Sequence, residues 1–595
     1  MPMKKNYIYF LILICVGISF LLFGGCKEQR PMKTCETFEE LPDPTSDTLS
    51  DWSKAPSGLQ ASLVNIDTRY TKSVYPNLKE TLSTKLTGWK GERLSAQLLL
   101  WSVEDIKQIE CEFGDFESPT ATLPANIAQA RFVRYVMTDI FGEGCGHRKP
   151  ENFPASLVPD MLDNLTCFDI SAKTVRPVWL SINIPESAIA GTYKSKLKIF
   201  AEGKESHEME IELKVQNKTL PPASEWPYHL DLWQHPSAVA RAQNLKLWSD
   251  EHFEAMKPLM KMLANAGQKV ITATLNKDPW NNQCFDRYED MILWTKNDDG
   301  TWIYDYTVFD KWISFMIQEV GITKMINCYS LVPWNNEIHY KDSKSGELIN
   351  VKADPGTKIF EDMWTPFLLD FKKHLTEKGW IDITNIAMDE RSPEMMSATI
   401  KLLQKVAPEL GISLADNHKS YKKYPFIQDM SVSANAKVDS TDIQYRQEKG
   451  YVTTFYVCCA DKFPNMFTCS EPIEAVYSAW YATAAGYDGF LRWAYNSWVE
   501  NPLTDSRFRT WPAGDTYIVY PEARSSIRFE RLIEGIQDIE KIRILRNELN
   551  EAKSDEALNK LNRLDSEVSK FNTITPENPI GMIHTAKALI EELSE

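Results

Sequence analysis

Several marks of large protein classes are missing from this sequence. Beyond its first residues it has no run of lysine and arginine, and 66 basic against 82 acidic residues leave a formal net charge of −16. A surface of that sign repels phosphate backbones, which argues against a nucleic-acid partner. None of the 11 cysteines forms a CxxC pair, so a zinc site of the usual cysteine spacing is not expected. Pairing among Cys111, Cys145 and Cys167 is open to an exported chain, and buried free thiols fit the same sequence equally well. What the chain does have is length and aromatic surface. Its 595 residues call for two or three domains with sizeable cores. Its 18 tryptophans suffice both for those cores and for faces that stack on ring-shaped ligands.

The N-terminus carries Lys4 and Lys5, an apolar run from Tyr7 to Phe23, then Gly24, Gly25 and Cys26 before a polar stretch. Charge, apolar run and small residues in that order mark an export signal. A cysteine directly after two glycines resembles a lipobox, so residues 1–25 are expected to be a lipoprotein signal peptide and Cys26 the acylated first residue of the mature chain. A plain signal peptide or a single membrane anchor is the alternative. On the lipoprotein reading the protein is exported, touches the membrane only through its lipid, and resides in the periplasm or at the cell surface. Residues 26–50, rich in Glu, Pro, Thr, Ser and Asp, are expected to form a flexible tether.

Short alternating stretches follow: Arg93–Trp101, Val178–Ile184, Tyr193–Ile199 and Glu208–Val215. Period-two patterning with Gly and Pro punctuation predicts an antiparallel β-sandwich over residues 51–219, closed off by Pro221, Pro222 and Pro227. Beyond that boundary strands alternate with helices. Expected strands are Tyr228–Gln234, Val270–Leu275, Lys324–Tyr329, Ile383–Met388, Gly411–Ala415, Asp429–Ala434, Val452–Cys458 and Gly489–Ala494. Helical stretches such as Trp248–Ala266, Phe309–Val320, Trp364–Lys378, Pro393–Val406 and Pro472–Ala485 lie between most of them. This predicts a (β/α)8 barrel of the TIM type over residues 226–515, with a doubly wound sheet as the alternative. Two connections, Asn276–Thr307 and Leu331–Glu361, are long and would sit on the catalytic face; a hairpin is expected around Asn297–Gly300. Residues 516–595 read as a C-terminal helical extension packing on the barrel.

The fourth expected strand ends in Asp389 and Glu390, where barrel enzymes place catalytic groups. Capping of the next helix, or a plain surface pair, explains the two acids equally well on spacing alone. Glycoside hydrolysis needs an acid for the leaving oxygen and a second group for the oxocarbenium-like centre. The seventh strand supplies no glutamate at its tip; Asp461 or Asp416 are the remaining candidates for a second carboxylate. A substrate with a 2-acetamido group dispenses with one, because its own carbonyl oxygen attacks the anomeric carbon. Asp389 would then hold the amide N–H while Glu390 acts as acid and base, with its pKa raised by the neighbouring charge. Around the pair, strand ends carry Trp233, His235, Trp280, Trp334, Asn335, Asn417, His418, Tyr456, Trp493, Tyr495, Asn496 and Trp498 as candidate sugar-binding residues. Stacked indoles with Asn and His at their edges suit a pyranose; each alone is more readily a core residue, and their shared location at strand ends is what points to a site.

These segments resemble glycoside hydrolase family 123. The resemblance rests on His229–Pro236 (HLDLWQHP), Met388–Arg391 (MDER), Tyr487–Trp498 (YDGFLRWAYNSW), Trp511–Tyr517 (WPAGDTY) and Ser526–Ile536 (SIRFERLIEGI), and it extends to Gly191–Tyr193 in the β-rich part. It implies an N-terminal β-sandwich, a catalytic barrel and a retaining, substrate-assisted β-N-acetylgalactosaminidase that takes glycans ending in β-linked N-acetylgalactosamine. It further implies Asp389 as the residue orienting the acetamido group, Glu390 as the acid/base, and no metal or organic cofactor. A β-hexosaminidase with another epimer preference and a non-catalytic glycan-binding lipoprotein remain the competing readings.

Overall fold

The structure is a computed structural model that describes residues 34–44, 50–139 and 149–595; the expected signal peptide, Cys26 and Cys145 lie outside the described residues. The first domain pairs a five-stranded with a seven-stranded sheet. Strand Gly191–Ala201 shows why: its residues alternate between exposed and buried, so one face must be covered. That face meets the other sheet, with Leu197 and Ile211 packing in one core with Leu98, Val178 and Leu180.

The expected flexible tether is corrected for the part that is described. Cys35 is disulfide-bonded to Cys167, the Phe38 ring lies 4.4 Å from that of Phe168, and the Glu40 carboxylate meets Arg176 and Lys72 at 2.6 Å each. Burial opposes the charge on Glu40, but the two cations prevail and hold its carboxyl at about 2. A segment with a crosslink, a packed aromatic ring and a buried ion pair is part of the domain surface. Cys111 does not pair with Cys167; it keeps a free thiol that burial pushes up to about 12.

Eight parallel strands form the second domain: His229–Leu232, Val270–Thr274, Met325–Tyr329, Thr384–Asp389, Gly411–Asp416, Asp429–Ser433, Val452–Tyr456 and Gly489–Arg492. Their spatial order runs one, eight, seven and so on down to two, and strands one and two meet through a bridge between Leu230 and Gln268. The sheet therefore curls into a nearly closed barrel, which excludes the doubly wound alternative, since an open sheet keeps two free edges. The connections are uneven. Between the fifth and sixth strands there is no α-helix, only the short turn Ser420–Lys422, because Asp416 accepts hydrogen bonds from the backbone of His418 and Ser420 and folds the chain back at once.

Both long connections build structure of their own. The first holds the expected hairpin, Leu293–Lys296 with Trp302–Asp305; the second holds Glu337–Asp342 with Leu348–Lys352, and the two pair into a four-stranded sheet. At the C-terminus helix Ile527–Ala552 is enclosed between the domains. Its Arg528, Glu530, Arg531 and Lys541 form ion pairs with Asp160, Arg93, Asp67 and Glu92 of the first domain. Helices Asp555–Val568 and Pro579–Leu593 follow, and the whole chain is multidomain: β-rich, then barrel, then helical.

Candidate active site

The fourth barrel strand is buried from Thr384 to Met388 and emerges at Asp389. Glu390 then takes φ +30°, a left-handed conformation rare for a residue with a side chain, and its N–H donates to the Ala415 carbonyl at 3.0 Å. The following helix is capped by Ser392, whose hydroxyl accepts from the Met395 N–H, with Pro393 in the first turn. Capping is thus done by serine, and the two acids are directed into the barrel mouth.

Each acid has its own support. Asp389 Oδ2 accepts the indole N–H of Trp280 at 3.2 Å and of Trp334 at 3.1 Å, one from each long connection. The Tyr456 hydroxyl, from the tip of the seventh strand, donates to Glu390 Oε1. Burial, and next the charge of Glu390, push the Asp389 carboxyl up to about 6, while the two indole hydrogen bonds pull the other way. Burial and the Glu390 charge push the Tyr456 hydroxyl well above its ordinary range, so it stays a donor.

These groups open on a cavity of about 240 Å³. Its floor is Trp233, buried at 1% exposure, with its ring 5.1 Å from that of Trp280 and 4.7 Å from that of Tyr329. Trp334 covers one side at 38% exposure, with the Arg391 guanidinium 4.8 Å from its ring. Opposite stand Trp493 and Trp511, in edge contact at 6.0 Å, and Asp515, whose Oδ2 accepts the Trp493 indole N–H at 3.2 Å. Aromatic walls with three carboxylates and few other polar groups form the kind of site that takes one sugar ring.

Of the expected binding residues, Trp233, Trp280, Trp334, Tyr456 and Trp493 line this cavity. The others do not. His235 is buried behind it, stacked on Tyr288 at 3.6 Å, with its ring nitrogens at Ser497 and the Arg287 carbonyl, and burial lowers its pKa to about 3. Asn496 clamps the His235 backbone through both N–H and C=O. Tyr495 and Trp498 are core residues that donate to the carbonyls of Leu259 and Val519. Asn417 and His418 are exposed on the short fifth connection. Asn335 turns to a second, polar cavity between the long connections, where it donates to Asn281 and Glu337. Beyond a strand end the alternating inside-outside rule lapses, so position alone did not tell which way these side chains face. The two candidate second carboxylates are structural: Asp416 closes its turn, and Asp461 accepts from the Cys458 N–H and Asn435.

Gln283, Trp511 and Asp515 line the cavity unforeseen. Trp511 and Asp515 belong to the WPAGDTY motif, a specific string in a stretch without helix or strand, and that was the available signal. Among the described residues no cluster of three or more His, Cys, Asp or Glu side chains is arranged to hold a metal ion.

Residues 233–545 match the glycoside hydrolase 123 catalytic domain and residues 63–201 the glycoside hydrolase 123 N-terminal domain. The chain belongs to glycoside hydrolase family 123 and is, in class, a glycosidase. A solved family 123 glycoside hydrolase from Clostridium perfringens, described for glycolipid glycan hydrolysis, is 27% identical and superposes with a TM-score of 0.80 over 90% of this chain and 97% of that one. A family 39 glycoside hydrolase from Bacteroides cellulosilyticus covers 68% of this chain and 81% of that one at 11% identity and a TM-score of 0.33, too low to bear on function. No curated protein matches.

Proposed function

We propose that the protein is a retaining exo-glycosidase that releases terminal β-linked N-acetylgalactosamine with the help of the substrate's own acetamido group. The observation that carries this reading is the separate support of two adjacent acids in a one-sugar cavity: two indole N–H groups on Asp389, a tyrosine hydroxyl on Glu390. Both indoles bind Oδ2, and Oδ1 of Asp389 takes the acetamido N–H. That orients the carbonyl oxygen toward the anomeric carbon and offsets the positive charge of the oxazolinium ion as it forms. Glu390 protonates the departing glycosidic oxygen, then removes a proton from the water that opens the oxazolinium, so two inversions give retention. Trp233, backed by Tyr329, gives the acetamido methyl an apolar floor.

The third carboxylate in the cavity, Asp515, has Oδ1 on Arg492 at 3.1 Å and Oδ2 on Trp493, an arrangement that suits holding a sugar hydroxyl better than attacking carbon. The Clostridium perfringens protein's connection with glycolipid glycans makes such glycans the first natural substrates to try. Acylation at Cys26 would hold the exported enzyme at a membrane, in the periplasm or at the cell surface, as a lipoprotein.

The test is release of p-nitrophenol from β-N-acetylgalactosaminide, β-N-acetylglucosaminide and β-galactoside by the wild type, Asp389→Asn and Glu390→Gln. Turnover confined to the first and lost in both variants supports the proposal. Equal turnover of the β-galactoside, which has no acetamido group, overturns substrate assistance; preference for the glucosaminide overturns the epimer; binding without turnover of any glycoside points to a glycan-binding protein.

A further inference from the structure

One wall of the cavity is held from the other domain. The loop that carries Trp511 and Asp515 has little secondary structure, and its shape is fixed from outside. Asp139, at the end of a β-domain strand, accepts the Ala513 N–H at 3.1 Å. Nearby, Met137 exchanges backbone hydrogen bonds with Thr504 and Ser506, each at 2.8 Å. The second anchor is Asp160, fully buried on strand Ala155–Leu162. It binds the Arg528 guanidinium at 3.0 and 3.1 Å and accepts the Tyr520 hydroxyl at 2.7 Å. Arg528 in turn donates to the carbonyls of Met466, Gly514 and Tyr517, at 2.8, 3.2 and 2.9 Å. Gly514 is boxed in: φ is +75°, and a Cβ there would lie 2.3 Å from the Thr468 hydroxyl and 3.1 Å from Arg528. The next residue is Asp515, whose side chain Arg492 and Trp493 hold from the barrel side.

From this chain of contacts we infer that the β-rich domain is a working part of the sugar site: Asp160, through Arg528, and Asp139, through Ala513, are positioning residues that set the wall formed by Trp511 and Asp515. The inference rests on the reading of this cavity as the place where the sugar sits. A buried guanidinium with five donors can fix three carbonyls only while its own charge is matched. Asp160 supplies that match from across the domain boundary, so the wall's geometry depends on a residue that touches neither substrate nor barrel strand. The interface holds other buried ion pairs, and they do not reach the cavity. Asp67, which binds Arg531 and His584, is one of them.

The contrast between the two pairs gives the experiment, done on the full chain. Asp160→Asn and Asp139→Ala are compared with Asp67→Asn, reading melting temperature, kcat and KM on whichever aryl glycoside the wild type cleaves best, and amide exchange across residues 506–517. Both buried-pair variants lower the melting temperature. For Asp160→Asn, and more weakly for Asp139→Ala, KM rises by about tenfold with a smaller change in kcat, because ground-state contacts to the ring are lost while the acid pair is intact. Exchange at 506–517 quickens in these two alone. Wild-type KM and protected amides in a folded Asp160→Asn or Asp139→Ala protein overturn the inference, as does an equal rise of KM in Asp67→Asn. If the wild type cleaves no glycoside, the functional proposal fails, and the exchange data still decide whether the β-rich domain sets the wall.

Discussion

Glu390 stands at φ +30° between a strand and a serine-capped helix, and that single left-handed step lets two neighbouring acids face different partners. Burial and the neighbouring Glu390 charge make the Asp389 charge costly, and its two indole N–H partners offset only part of that; Glu390 meets a tyrosine. The cost can be read as pH dependence. The folded-state pKa of Asp389 is about 6 against an ordinary 3.8, so the folded protein binds this proton more tightly than the unfolded chain does. Ionisation therefore destabilises the fold; the penalty is absent below the unfolded value and complete above the folded one. Asp389→Asn should raise stability at pH 7.5 by about 2 kcal/mol, with the gain fading toward pH 4, as followed by thermal melting across pH. The same variant should lose on the order of 100-fold or more in kcat, since a neutral amide cannot offset the oxazolinium charge. In the wild type, kcat/KM should fall on the acid side with an apparent pKa near 6, as Asp389 takes up its proton. At this scale the sequence exposed the acids, because a strand end followed by a helix start is legible in residue types. It did not expose that His235, Tyr495 and Trp498 face away from the cavity, because each lies past its strand, where neither period two nor period 3.6 applies.

The strands were legible for a simple reason: each of the eight is a short run, buried almost throughout, in which apolar residues punctuate polar ones, bounded by polar turns. Elements made by pairing between distant loops were not. The hairpin near Asn297 shows in its turn residues, but its parallel pairing with Glu337–Asp342 depends on two connections meeting in space. Those connections deliver Trp280 and Trp334 to the same oxygen of Asp389. Trp334→Phe keeps the ring and deletes one N–H, removing one of the two hydrogen bonds that lower the Asp389 pKa. Its acid limb should move to higher pH relative to the wild type, by about half a unit to one unit, in a kcat/KM profile. The element behind the pocket calls for a different outcome. Asn496 satisfies both backbone groups of buried His235, so Asn496→Ala should cost about 2 kcal/mol or more in a denaturation curve, with any loss of activity following the loss of folded protein.

At the scale of the whole molecule, the segment that composition marked as a tether is fastened to the β-rich domain at Cys35, Phe38 and Glu40, because a thiol, a ring and a cation far along the chain meet it there. Composition reports what a segment tolerates when free and is silent on a partner at residue 167. The bond between Cys35 and Cys167 spans 132 residues. Replacing both cysteines by serine should lower stability by about 2–4 kcal/mol in equilibrium denaturation and leave kcat unchanged at moderate temperature, the bond being remote from the cavity.

The central claim is that the acetamido oxygen of the substrate is the nucleophile, and the most direct measurement varies that oxygen alone. In p-nitrophenyl β-galactosaminides whose N-acyl group is acetyl, fluoroacetyl, difluoroacetyl or trifluoroacetyl, each fluorine weakens the carbonyl oxygen without changing the leaving group. The account predicts a steep, monotonic fall in kcat along the series. A flat series would contradict it and would transfer the attack on the anomeric carbon to a group of the enzyme.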